Sequence, residues 1–114
     1  MRNKLTIKNS DLIVAPQGLD KFWTLKNKLT IPLNHIVGAT LDNGIIFDKK
    51  GLRLPGTAAF GYYVGTFKSN SDTIFYNAKK GENIIVIQLK DENYNRLVLS
   101  VDNPHEWVDK INNL

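Results

Sequence analysis

Hydrophobic and polar positions alternate with a period of two along most of the chain, the spacing of strands that bury one face. Runs rich in β-branched and aromatic residues fall at 4–8, 12–15, 21–25, 28–31, 36–41, 51–54, 62–67, 73–77, 83–89 and 96–101. Gly, Pro, Asn or Asp closes each run, and these residues supply turn conformations that strands avoid. The set reads as seven or eight antiparallel strands. Residues 69–72, 79–81 and 91–95 have the length of hairpin loops, and Asn43-Gly44 suits a turn whose central residues need positive φ.

Two strands say more. Leu97, Leu99 and Val101 share one face while Val98 and Ser100 share the other, so 96–101 is expected to be half buried. Ile84, Ile85, Val86 and Ile87 make the next-to-last strand apolar on both faces. Its outer face must be covered by the chain itself or by a partner, and the terminal helix is the expected cover. That helix starts where the period changes, at Asn103-Pro104-His105-Glu106-Trp107. Asn103 is placed as the N-cap, Pro104 as the first helical residue and Glu106 as the carboxylate of a capping box. Trp107, Ile111 and Leu114 then fall at i, i+4 and i+7 with Val108 beside them, forming one apolar stripe. A helix of about eleven residues is held by tertiary contact, with Trp107 as its expected main anchor.

A length of 114 residues is that of one domain, and area scaling allows about two-thirds of the unfolded surface to be buried. Hydrophobic residues at 42% and charged residues at 23% exclude a disordered or fibrous chain. No repeat or linker divides the sequence, so 1–114 is read as a single domain. Fifteen Lys and Arg against eleven Asp and Glu leave a net charge of +4, a mild preference for anionic partners. The absence of cysteine excludes disulfides, thiolate catalysis and Cys-ligated zinc, and it fits a reducing compartment. Met1-Arg2-Asn3-Lys4 opens into a polar alternating run, and no stretch approaches the roughly 18 apolar residues of a spanning helix. A cytoplasmic location is expected, with peripheral attachment at the inner face of the membrane as a variant.

The stretch Gly51-Leu52-Arg53-Leu54-Pro55-Gly56-Thr57, continuing through Phe60-Gly61-Tyr62-Tyr63-Val64-Gly65-Thr66-Phe67, resembles the central motif of the bacterial PH-like (pleckstrin-homology-like) domain families. Phe22-Trp23 and Ile31-Pro32-Leu33 are similar to the early strands of those families, and Val101-Asp102-Asn103-Pro104 to the lead into their last helix. The resemblance spans nearly the whole chain. It implies a mainly β fold, a PH-like, partly open barrel of about seven antiparallel strands in two nearly orthogonal sheets, with one C-terminal α-helix closing one end. It implies no reaction, because these families share no assigned activity and no catalytic residues.

The residues themselves point the same way. Gly56, Gly61 and Gly65 have neither the G-x-G-x-x-G spacing nor a following Lys-Ser/Thr, so they are not a nucleotide loop. Gly56 and Gly61 are read as shaping a turn, and Gly65 as a bulge or bend inside a strand. His35 and His105 have no neighbour at metal-ligand spacing, and His105 is expected to be exposed. None of Ser10, Ser69, Ser71 and Ser100 sits in a G-x-S-x-G elbow. Asp42, Asp48, Asp72 and Asp91 adjoin Gly, Asn or Ser in turns, where carboxylates bond the local backbone. No catalytic residue, metal or cofactor is expected, and the chain is not read as an enzyme.

Lys21, Lys26 and Lys28 form one basic group, Lys49, Lys50 and Arg53 a second, and Lys79 with Lys80 a third. The first two, brought together at the open end of a barrel, would make a cationic mouth for a phosphate-bearing headgroup or an acidic peptide. Three arginines and mostly core-like aromatics argue against nucleic acid as a partner. Of Phe22-Trp23, and of Phe60 with Tyr62-Tyr63, one aromatic each is expected outside.

The sequence therefore predicts a non-catalytic interaction module that binds a protein partner or self-associates, through an open strand edge or an outward apolar strand. Ile84, Val86 and Trp23 are the candidate partner surface. The alternative is binding of anionic lipid headgroups or a membrane surface through Lys21, Lys26, Lys28, Lys49, Lys50 and Arg53.

Overall fold

Strict alternation builds the smaller of two sheets, and its absence builds the larger. The computed structural model describes residues 3–17, 28–43, 52–57, 62–69 and 71–114, with the backbone alone at 52–57, 62 and 69. Strands β1 (Asn3–Lys8), β2 (Asp11–Pro16) and β3 (Leu29–Pro32) form an antiparallel sheet in that order. Leu5, Leu12, Val14, Leu29 and Ile31 point to its buried face, while Lys4, Thr6 and Thr30 are exposed on the other. Asn9 (φ 52°) and Ser10 (φ 68°) make the tight turn between β1 and β2, where two successive positive φ values match the twist of the flanking strands. The strand expected at 21–25 lies outside the described residues.

A 3₁₀ turn, Leu33–His35, carries the chain from β3 into the second sheet. That sheet comprises β4 (Ile36–Leu41), β5 (Leu52–Thr57), β6 (Tyr62–Ser69), β7 (Asp72–Lys79), β8 (Ile84–Leu89) and β9 (Arg96–Ser100) in the spatial order β4-β8-β9-β7-β6-β5. Helix α1 (Pro104–Asn112) follows. The mainly β class, the two sheets and the single C-terminal helix are as the sequence predicts. Two details differ: the described residues hold nine strands instead of about seven, and β7 pairs with β9 in parallel, Ile74 opposite Arg96 through Asn77 opposite Leu99. The reason lies in the connection. The turn after β7 steps across two strand positions to β8, and β9 returns into the slot between them, antiparallel to β8 and therefore parallel to β7.

A strand in that slot has neighbours on both edges and, here, apolar cover on both faces. Val98 and Ser100 are as buried as Leu97 and Leu99, so β9 is fully rather than half buried. One face of β8 and β9, with Phe75 and Ala39, meets the three-stranded sheet in the main core. The opposite face forms a second apolar cluster of Phe67, Ile74, Tyr76, Ala78, Ile84, Val86 and Val98, with Tyr63 against it. Tyr63, Phe67 and Tyr76 pack as mutually tilted rings, Phe67 and Tyr76 edge to face at 4.7 Å between centroids. Gly65 sits in β6 with φ 112°, the bend expected of it, but Gly56 lies inside β5 opposite Gly65 instead of in a turn. The register slips between Arg53 and Gly56, a bulge that lets β5 bend around Pro55.

The two sheets are stitched by polar groups as well as apolar ones. Asn3 at the start of β1 donates from Nδ2 to the carbonyls of Asn77 (3.0 Å) and Ser100 (2.8 Å), and Asn77 Nδ2 donates to Asn3 Oδ1 at 2.8 Å. Lys79 N–H donates to Ser100 Oγ at 2.9 Å. These amides are nearly inaccessible to water, so each lost partner leaves a desolvated polar group behind. Replacing Asn3 by Leu should therefore lower unfolding stability by about 2–4 kcal/mol, read as a shifted denaturant midpoint with an unchanged slope; an unchanged midpoint would show that the network contributes nothing.

Candidate functional site

Among the described residues, concave surface lies where α1 meets β4. Pro104 opens the helix and is buried, Glu106 lies in the first turn and Lys110 in the last, each on the side the helix dipole favours. Asn103 stands at the N-cap, but its backbone is left-handed (φ 55°, ψ 54°) and its side chain makes no cap hydrogen bond. The expected capping box is therefore not formed, because the box needs an extended N-cap backbone to aim the side chain at the first free N–H groups. Of the predicted stripe, Ile111 enters the main core, Trp107 and Val108 lie half buried at its margin, and Leu114 is 58% exposed. Lys110 Nζ stands 4.9 Å from the Trp107 ring centre, a cation over an aromatic face. The anchor is thus Ile111 and not the expected Trp107, because of the stripe only Ile111 is buried in the main core while Trp107 stays half buried at its margin.

The sequence places the helix over the outer face of β8, but Ile111 instead joins Ile85 and Ile87 in the main core on the other face. The last residue of the helix reaches the edge of β4. Asn112 Nδ2 donates to the Ala39 carbonyl at 2.8 Å, and Ala39 N–H donates to Asn112 Oδ1 at 2.8 Å. A Cβ on Gly38 would lie 3.2 Å from Asn112 Oδ1, so glycine leaves room for the amide. The register of β4 against β8 slips between Ile36 and Gly38, and Val37, the extra residue, is left 62% exposed.

Two hollows flank Asn112. One, of about 390 Å³, is lined by Leu33, Asn34, Ile36, Val37, Ile111, Asn112 and Leu114. The other, about 170 Å³, lies over Gly38, Ala39, Thr40, Val86, Gln88 and Asn112. Val37 and Leu114, two of the three large hydrophobic residues that are exposed among the described residues, stand on the walls of the larger hollow; Leu41 at 37% is the third. No ionisable side chain lines the hollow, whose surface is shared about equally between polar groups, the Asn34 and Asn112 amides among them, and apolar side chains.

The residues singled out from sequence fare differently. Ile84 and Val86 are 0% and 4% exposed within the second apolar cluster, so neither presents an exposed apolar face, although Val86 lines the smaller hollow. Two apolar faces on one strand reflect its place between β4 and β9 inside the sheet, where both sides are packed. Trp23, Lys21, Lys26, Lys49 and Lys50 lie outside the described residues, as do Asp48, Phe22, Phe60 and Gly61. Lys28 is exposed just ahead of β3, and Arg53 lies on β5 opposite Phe67 in the neighbouring strand. The cationic mouth expected from these six therefore falls largely outside the described residues. Asp72 accepts from Arg96 Nη2 at 2.6 Å, which ties the start of β7 to β9. His35 Nδ1 pairs with Glu92 Oε2 at 2.5 Å, and His105 is exposed in the first turn of α1 as expected. Among the described residues no group of three or more His, Asp or Glu converges, and no helix is long and apolar enough to cross a membrane. Asn112, the residue that joins helix to sheet, was not foreseen: its partner is 73 positions away, and periodicity marks it only as the polar neighbour of Ile111.

Two face-packed sheets followed by a C-terminal helix define the chain as a small, mainly β domain. Residues 6–114 match the family described as bacterial PH domain, so the chain belongs to that family. No curated protein and no solved structure matches it.

The packing assigns unequal weights to the helix residues. Ile111→Ala should cost about 2–5 kcal/mol of stability through the cavity it leaves, whereas Leu114→Ala should stay within about 0.5 kcal/mol. Thermal or denaturant unfolding of the two variants checks the order, and equal losses would mean that the tail is packed as tightly as the helix.

Proposed function

We propose that this PH domain is a non-catalytic interaction module that binds a protein partner through the hollow between the 3₁₀ turn, β4 and the end of α1. The observation that carries this is the exposed apolar surface there: Val37 and Leu114 face solvent at a hollow that Ile36 and Ile111 also line. Exposed hydrophobic side chains scattered singly need no explanation, but a concave cluster of them rewards a partner that can fill it. A short apolar segment or a projecting side chain fits about 390 Å³ better than a broad flat surface does. Cytoplasmic residence belongs to this reading.

The expected test compares proteins retained by the immobilised domain with those retained by Val37→Asp and by Leu114→Asp. Both positions are exposed, so the fold should survive by circular dichroism, while at least one retained protein should be lost from both variants. Identical retention by all three would remove the hollow as the binding place.

A second reading, attachment to an anionic membrane surface, has one observation in its favour. Lys4 and Lys8 are exposed on the outer face of the three-stranded sheet, and Lys28 is exposed just ahead of β3. Such a face would bind vesicles containing acidic lipid, and the binding would fall steeply as salt is raised. Co-sedimentation that depends on neither acidic lipid nor salt would dismiss it.

A further inference from the structure

Among the described residues, each sheet has two edge strands: β1 and β3 in the smaller, β4 and β5 in the larger. An edge presents unpaired N–H and C=O groups that invite another strand, and proteins blunt it with charge or proline. β1 carries Lys4 and Lys8, β3 carries Pro32, and β5 carries Arg53 and Pro55. The fourth edge, β4, reads Ile-Val-Gly-Ala-Thr-Leu and has neither a charge nor a proline. Asp42 N–H donates to the Ile84 carbonyl, and alternation along an antiparallel ladder then turns the N–H and C=O of Leu41 and Ala39 outward, away from β8. At Ala39 both groups are met by the amide of Asn112, which donates once and accepts once as a neighbouring strand residue would.

We propose that Asn112 is the guard of this edge: its amide occupies the backbone of β4 and so prevents two copies of the chain from joining β4 to β4. The second copy is the occupant the edge fits. An antiparallel pair about a twofold axis is self-complementary, and an uncharged strand meets no like charge across that axis. Pairing would also bury Val37 and Leu41, which are exposed in the single chain. On its C-terminal side Asn113 donates from Nδ2 to the Asp109 carbonyl at 2.6 Å, while the N–H groups of Asn113 and Leu114 make long 3.4 Å bonds to the Lys110 and Ile111 carbonyls. What holds the edge closed is the pair of bonds to Ala39 together with the burial of Ile111. This inference does not depend on what fills the neighbouring hollow.

The test is the mass in solution of Asn112→Ala against the wild-type chain over a rising concentration series, by light scattering on a sizing column. The variant should move toward twice the wild-type mass as concentration rises, and adding Leu41→Lys should return it to the wild-type value, because a lysine on the edge restores the missing charge. A variant that keeps the wild-type mass throughout overturns the proposal, and so does association that Leu41→Lys leaves intact. Should Asn112→Ala fail to fold by circular dichroism, Asn112→Asp is measured with the same two outcomes. It still accepts from the Ala39 N–H but offers no proton to the Ala39 carbonyl.

Discussion

The placement of β9 between β7 and β8 governs the rest of the molecule. Once a returning strand fills that slot, β8 and β9 have neighbours on both sides, and their side chains must find cover above and below. The main core supplies one cover and the Phe67, Tyr76, Val86 and Val98 cluster the other. The slot is secured at one end by Asn3, which reaches across from the smaller sheet to the carbonyls of both Asn77 and Ser100. At the other end Asp72 and Arg96 tie the same two strands together, and Thr73 and Asn95 exchange backbone and side-chain hydrogen bonds. A parallel pair formed by strands about twenty residues apart in the chain cannot close as a hairpin, so these specific bonds select a pairing that local turn chemistry would not.

From that arrangement the character of the exposed surface follows. β4 is pushed to the end of the larger sheet, where its outer groups look toward α1. The helix is too short to stand alone, and Ile111 docks it against the core. Docking brings Asn112 to Ala39 and leaves a hollow between the helix end and the 3₁₀ turn. The same few residues therefore close the sheet, end the helix and shape the place where apolar surface remains open to solvent.

Family membership and site geometry carry different information. Membership in the bacterial PH domains accounts for the strands, the terminal helix and their order. The hollow beside β4 rests on particular side chains, Val37 left over by a register slip and Leu114 left over by the helix end. A fold shared across a family does not fix function, and the exposure of Val37 and Leu114 is a local feature of this chain.

Alternation made most strands legible from one-dimensional pattern, since a period of two can serve only one buried face, and the change of period at Pro104 marked the helix. The two-faced apolar run at Ile84–Leu89 was legible as well, although it announced an interior strand and not a surface for partners. Sequence could not decide which strands would be neighbours, that β7 and β9 would run parallel, or that Ile111 and not Trp107 would anchor α1. Nor could it find Asn3 and Asn112, whose partners lie 74 and 73 positions away. Local propensity and periodicity act over a few residues, whereas strand order and the pairing of buried amides depend on which distant segments can satisfy one another, and only the folded chain brings those segments together.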